Sequence, residues 1–290
     1  MPRAVAFAAL AAALGVLLFW RLGGIELVAA WAQGAQRAAQ GQLAQALRAL
    51  HAGAPGALIS LWGLCFAYGF LHAIGPGHGK LVIGAYGAGT DIGLSRLAGI
   101  ALLAAFGQAV TAIALVGAGA GLLGLTRAGM EDVARDWMDR AAVLAVLAVG
   151  AWLVWRAGHA LYRQRRHAQP VPHVCASCGH SHAPDPDKVA KARSWREVAA
   201  LVGAISLRPC TGAVFVLILT WRMGLVWQGI AGVLLMALGT GLVTVAAAVL
   251  AGGARRGALD LPGLAGLAPV MEFTAGIAIV ILALNMLNYT

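Results

Sequence analysis

The chain has 290 residues, of which 60% are hydrophobic and only 11% charged. A water-soluble domain carries roughly 25% charged residues, so most of this chain meets an apolar solvent. The net charge of +10 does not mark a nucleic-acid binder: the basic residues form no stripe with interleaved aromatics and fall between apolar runs, where they set membrane orientation.

The first apolar stretch, Ala4 to Trp20, follows Arg3. It reads as a first helix or as a long signal sequence. Ala30-Trp31-Ala32 resembles a cleavage site, but the stretch is long for a signal core, so a retained helix is expected. In residues 28–50, Gln33, Gln36, Arg37, Gln40, Gln42, Gln45 and Arg48 alternate with Ala and Leu at helical spacing. That pattern fits an amphipathic helix on the membrane surface, and equally a solvated linker helix.

Six further apolar runs follow, at roughly 56–88, 97–125, 137–162, 197–221, 225–252 and 264–288, each long enough to span. Arg156 lies in the third and is expected to snorkel. The expectation is an all-α polytopic membrane protein with about seven transmembrane helices. Lys and Arg concentrate in the segment 163–196, whereas Glu131, Asp132, Asp136 and Asp139 cluster before the third run. The 163–196 loop is therefore expected inside.

Four parts result: residues 1–55 (N-terminal helix and amphipathic segment), a three-helix half at 56–162, the loop 163–196, and a second three-helix half at 197–290. Three is odd, so the halves are expected to be inverted, as in many secondary transporters.

The first half is interrupted by His72-Ala73-Ile74-Gly75-Pro76-Gly77-His78-Gly79-Lys80. Pro removes a backbone donor and Gly weakens the helix, so a break is expected here. Freed carbonyls at membrane depth need protein or water beside them, and imidazoles and an ammonium there are costly without a function. Neutral imidazole suits nickel, cobalt, zinc and copper. The bland alternative is a helix end at the interface.

The second half opens with Ser206-Leu207-Arg208-Pro209-Cys210-Thr211-Gly212. Two interrupted helices in corresponding places point to a transport site. Cys210 is a candidate thiolate ligand or a small filler. Arg208 is a candidate partner for Glu272, the one carboxylate of the last apolar run. Lys80, Ser206, Thr211 and Glu272 join the candidates for the pathway, and Gln108 and Thr111 suit either the pathway or bonds to neighbouring backbone.

Between the halves, His173, Cys175, Cys178, His180 and His182 concentrate soft and borderline ligands around a C-x-x-C, with Pro-rich flanks that suit a tether. No second C-x-x-C completes a zinc ribbon. The match of Gly119 to Gly124 to a nucleotide-binding fingerprint lies in an apolar run, Gly79-Lys80 lacks the rest of a phosphate loop, and no H-E-x-x-H occurs. No enzyme and no resident cofactor are expected.

HAIGPGHGK and SLRPCTGA together resemble the nickel/cobalt transporter (NicO) family, which includes nickel/cobalt efflux proteins. The resemblance covers about residues 55 to 290. It implies a secondary transporter moving Ni²⁺ or Co²⁺ across a bacterial-type inner membrane, with export as the expected direction and uptake as the alternative. It also implies an ion gradient as the drive, for which proton exchange is chemically natural; from the residues themselves, His72 and His78 are the expected ligands, with Cys210 or nearby carbonyls completing the shell and the His/Cys loop capturing metal. The chain is more remotely similar to nickel/cobalt permeases carrying H-x4-D-H, but Gly77 stands where their Asp would be. A second alternative is a membrane thiol–disulfide carrier using Cys65 and Cys210.

Overall fold

The computed structural model describes residues 22–74, 78–166, 186–259 and 268–287. The expected helix at Ala4–Trp20 and the ligand cluster His173, Cys175, Cys178, His180 and His182 lie outside the described residues. The described elements are helical: α1 (Gly24–His51), α2 (Ala57–Ile74), α3 (His78–Gly89), α4 (Leu94–Gly121), α5 (Arg127–Asp132), α6 (Asp139–Arg166), α7 (Pro186–Ser206), α8 (Thr211–Arg222), α9 (Val226–Leu259) and α10 (Ala268–Leu287). A π-helical turn, Val133–Met138, joins α5 to α6.

Among the described residues, five stretches are long and apolar enough to cross a membrane: Ala57–Ile74, Leu94–Gly121, Asp136–Tyr162, Val226–Ala258 and Ala268–Leu287. Trp195–Ser206 and Thr211–Arg222 pass the same test as a pair bent by 60°. Leu103 and Val110 are each 60% exposed on α4, and Leu250 is 73% exposed on α9. Such a band on long apolar helices faces lipid rather than water. The chain is an all-helical, multi-pass membrane protein.

The expected run 56–88 is two helices, and their contacts with α9 show how they follow each other. Trp62 Nε1 donates to Gln228 O at 3.2 Å, Thr240 Oγ1 donates to Gly69 O at 3.1 Å, and Gly87 meets Ala248. Rising residue numbers pair with rising numbers, so α2 and α3 run along α9 in one direction as a single interrupted crossing. A Cβ on Gly69 would lie 2.0 Å from Met236 O, and one on Gly239 would lie 2.3 Å from Phe66 O. Only glycine lets these backbones approach so closely, as small residues do at crossings within lipid.

The other broken pair follows α4 in the same manner. Gln108 Nε2 donates to Ile205 O at 3.2 Å, and Gly121 meets Trp221. Between α4 and α9 the order reverses: Gly241 meets Leu102, while Gly252 meets Leu94 and Leu97. The α2–α3 crossing therefore runs opposite to α7–α8. The third helices, α6 and α10, are also antiparallel, with Gly150 against Ile279 and Gly276 against Val154.

Helix α1 packs against protein along one stripe. Ala32, Ala39, Leu43, Ala46 and Leu47 are buried, and α1 packs on α2 and α8. Its amphipathic pattern arises because one stripe meets protein, and the glutamines beside that stripe reach polar groups of α2.

Candidate functional site

Both sequence motifs lie at helix breaks. His72 occupies the last turn of α2, and α3 begins at His78. The side chain of His78, with residues 75–77, lies outside the described residues. Across the bundle, Pro209 follows the last turn of α7 and Cys210 takes the N-cap position of α8. A proline here stops one helix, and its missing N–H costs nothing between two helices.

The breaks converge on one cavity of about 270 Å³. His72, Lys80, Arg208, Cys210 and Thr211 line it, so five of the sequence candidates meet there. Gln108 of α4 and Thr240 and Thr244 of α9 also line it. The His72 imidazole and the Cys210 thiol are hydrogen-bonding neighbours. The Tyr68 ring is parallel to that of His72 within 5°, with centroids 6.1 Å apart. A Cβ on Gly212 would fall 2.2 Å from the Tyr68 ring, so Gly212 admits the tyrosine against the start of α8.

Helix α1 completes this side. Gln36 Nε2 lies 3.1 Å from His72 Nδ1 and donates to the Tyr68 hydroxyl at 2.8 Å, where Gln40 Nε2 also donates at 3.1 Å. Gln36, Gln40 and Tyr68 were not picked out as site residues by sequence. The available signal was the glutamine stripe, which carries more hydrogen-bonding capacity than a linker needs.

The two cations of the motifs are both engaged. Lys80 Nζ donates to Ala73 O, a carbonyl of the last turn of α2, where carbonyls lack helical partners and positive charge is favoured. Arg208 Nε pairs with Asp139 Oδ1 at 3.0 Å. The expected Arg208–Glu272 pair is therefore replaced: α6 supplies Asp139 beside the second break, while Glu272 is taken by Arg156.

Arg156 does not snorkel. It pairs with Glu197 of α7 and with Glu272 of α10, its Nε meeting Glu272 Oε1 at 2.5 Å. Trp152 Nε1 donates to Glu197 Oε1 at 3.1 Å. Glu272 thus belongs to an ionic clamp and does not line the cavity. Ser206 does not line it either: its hydroxyl is buried against Gly107 without a hydrogen-bond partner. Thr111 bonds back to Gly107 O at 3.0 Å, whereas Gln108 both lines the cavity and bonds across to α7.

Among the described residues, no three His, Cys, Asp or Glu side chains form a metal-holding group. His72 and Cys210 supply one imidazole and one thiol, with hydroxyl, amide and carbonyl oxygens around them. That donor set suits a borderline transition-metal cation and lacks the carboxylates that Mg²⁺ or Ca²⁺ would need. Cys65 and Cys210 are both free thiols, Cys65 being buried beside Gly232.

The profile of the NicO family, described as High-affinity nickel-transport protein, matches residues 58–174. A protein of Haemophilus influenzae named "Putative nickel/cobalt efflux system" is 32% identical over 216 residues, covering 68% of this chain and 66% of that relative. The shared segment is thus just under two thirds of the relative's length. No solved structure matches.

Proposed function

From the premise that this chain belongs to the NicO family, we propose that it is a secondary transporter that moves Ni²⁺ or Co²⁺ across a bacterial-type inner membrane, in the direction of efflux. One observation carries this reading: two interrupted helices, running in opposite directions, bring an imidazole and a thiol to a single cavity. Broken helices at a shared cavity are how secondary transporters expose ligands at membrane depth.

In this reading residues 56–162 and 197–290 are the two halves. His72 and Cys210 hold the cation, His78 joins them, and Thr211, Thr240 or Gln108 oxygens complete the shell. His173, Cys175, Cys178, His180 and His182 of the 163–196 loop gather metal from the cytoplasm. Lys80 and Arg208, held by a carbonyl and by Asp139, oppose long residence of the dication and so favour release. Thiol and imidazole must shed protons to bind metal, which suits exchange against protons.

The test is metal flux into liposomes under a pH gradient of either sign, read with a metal-sensitive dye. Flux that follows the gradient and is lost in His72→Ala/His78→Ala supports the reading. A folded parent that moves neither metal sinks it and turns attention to the thiol carrier. That alternative is read separately, by trapping a Cys65–Cys210 disulfide.

A further inference from the structure

We propose that Arg156, Glu197 and Glu272 are the latch of a gate that shuts the cavity toward the end of the bundle from which residues 167–185 leave α6 and return to α7. The proposal rests on reading the cavity as a transport pathway.

At that end the cavity is lined by Ile83 of α3, Ala101 of α4 and Ile205 of α7. A helical turn advances about 5 Å. One turn nearer the same end, each of these helices supplies a large side chain: Tyr86, Leu97 and Leu201. All three are at most 1% exposed and belong to one core cluster. In this proposal they are the plug on that side of the cavity.

The plug touches the clamp. Tyr86 OH lies 3.5 Å from Glu197 Oε2, a long contact for a hydroxyl donor. Glu197 is tied to Trp152 and Arg156 of α6, and Arg156 also holds Glu272 of α10. One guanidinium thus fastens α6 to both α7 and α10, and the carboxylate it holds on α7 faces the plug residue of α3.

Opening the cavity toward this end requires α3 and α7 to part, because each contributes a plug residue. Parting them pulls Glu197 from Tyr86 and strains its bond to Arg156. Two carboxylates at one guanidinium in apolar surroundings do not slacken gradually, since each loses its main counter-charge when the clamp breaks. The arrangement therefore favours two discrete states, closed with the clamp made and open with it broken.

Cys210 reports on the gate. It lines the cavity, whereas Cys65 is fully buried elsewhere. In a Cys175→Ser/Cys178→Ser background, Cys210 would be labelled with a membrane-impermeant maleimide in vesicles of each orientation. The parent should react slowly from the side of residues 167–185. Glu197→Gln and Arg156→Gln should each react about tenfold faster from that side alone, a modest shift of a two-state equilibrium. Arg156→Lys keeps the charge but loses the two-handed geometry, and should fall between; it also serves if Arg156→Gln does not fold. Parent-like rates in folded variants, or equal acceleration from both sides, would overturn the latch. The labelling needs no transport, so a parent that carries no metal refutes the transport reading while the latch is still decided.

Discussion

The cavity at the two helix breaks and the clamp around Arg156 both hold polar groups within an apolar bundle, and they do so in opposite ways. In the clamp, two carboxylates converge on a guanidinium, and one also receives an indole N–H. In the cavity, the cations are turned to partners at its rim, Lys80 to Ala73 O and Arg208 to Asp139. Beside these two cations, one imidazole, one thiol and several neutral oxygens line the space. The contrast separates structure from exchange: the clamp fastens helices, whereas the cavity keeps donors whose present partners are neutral and easily replaced.

The largest effect should come from breaking the clamp. Arg156→Leu leaves Glu197 and Glu272 without their counter-charge, and removing one partner of such a group costs about 3 kcal/mol or more. Thermal unfolding in detergent should drop accordingly, and an unchanged midpoint would mean that the carboxylates find water. Ligand removal at the cavity should behave differently. His72→Ala and Cys210→Ser should unfold near the parent's temperature without metal, yet lose the stabilisation that nickel confers, about 2.7 kcal/mol at a hundred times Kd. Equal nickel protection of parent and variants would remove both residues from the site.

Gln36→Leu should have a smaller effect than either. It deletes the bonds to Tyr68 and His72, for an expected loss of about 1 kcal/mol. Nickel affinity should fall about tenfold, as when a partner that orients a metal-binding histidine is lost. A loss of stability with unchanged affinity would make Gln36 a packing residue only. The smallest effect is expected at Ser206, whose buried hydroxyl has no partner. Ser206→Ala should be neutral or stabilising by up to about 1 kcal/mol, with metal flux unaltered.

The crossings were legible because hydropathy is a sum over some twenty residues, which tolerates local error. The breaks were legible because Pro and Gly act on their own backbone. The ion pairs were not. Glu272 is the one carboxylate of its apolar run, but the choice between Arg156 and Arg208 as its partner depends on which helix lies beside α10, and that helix is α6. The role of α1 was hidden for a similar reason. A stripe of Ala and Leu opposite glutamines describes a helix between an apolar and a polar partner, without saying whether the partners are lipid and water or protein and site.

By itself, the sequence determined that this chain crosses a membrane and where its helices break, and it offered an imidazole and a thiol at the breaks as candidates for the site. These follow from local backbone preferences and from summed transfer energies. Only the tertiary structure decided that the two breaks face one cavity, that Gln36 and Tyr68 adjoin His72, and that Arg156 gathers the carboxylates of two other helices. Those outcomes depend on contacts between residues far apart in the chain, set by how helices of small residues pack against one another.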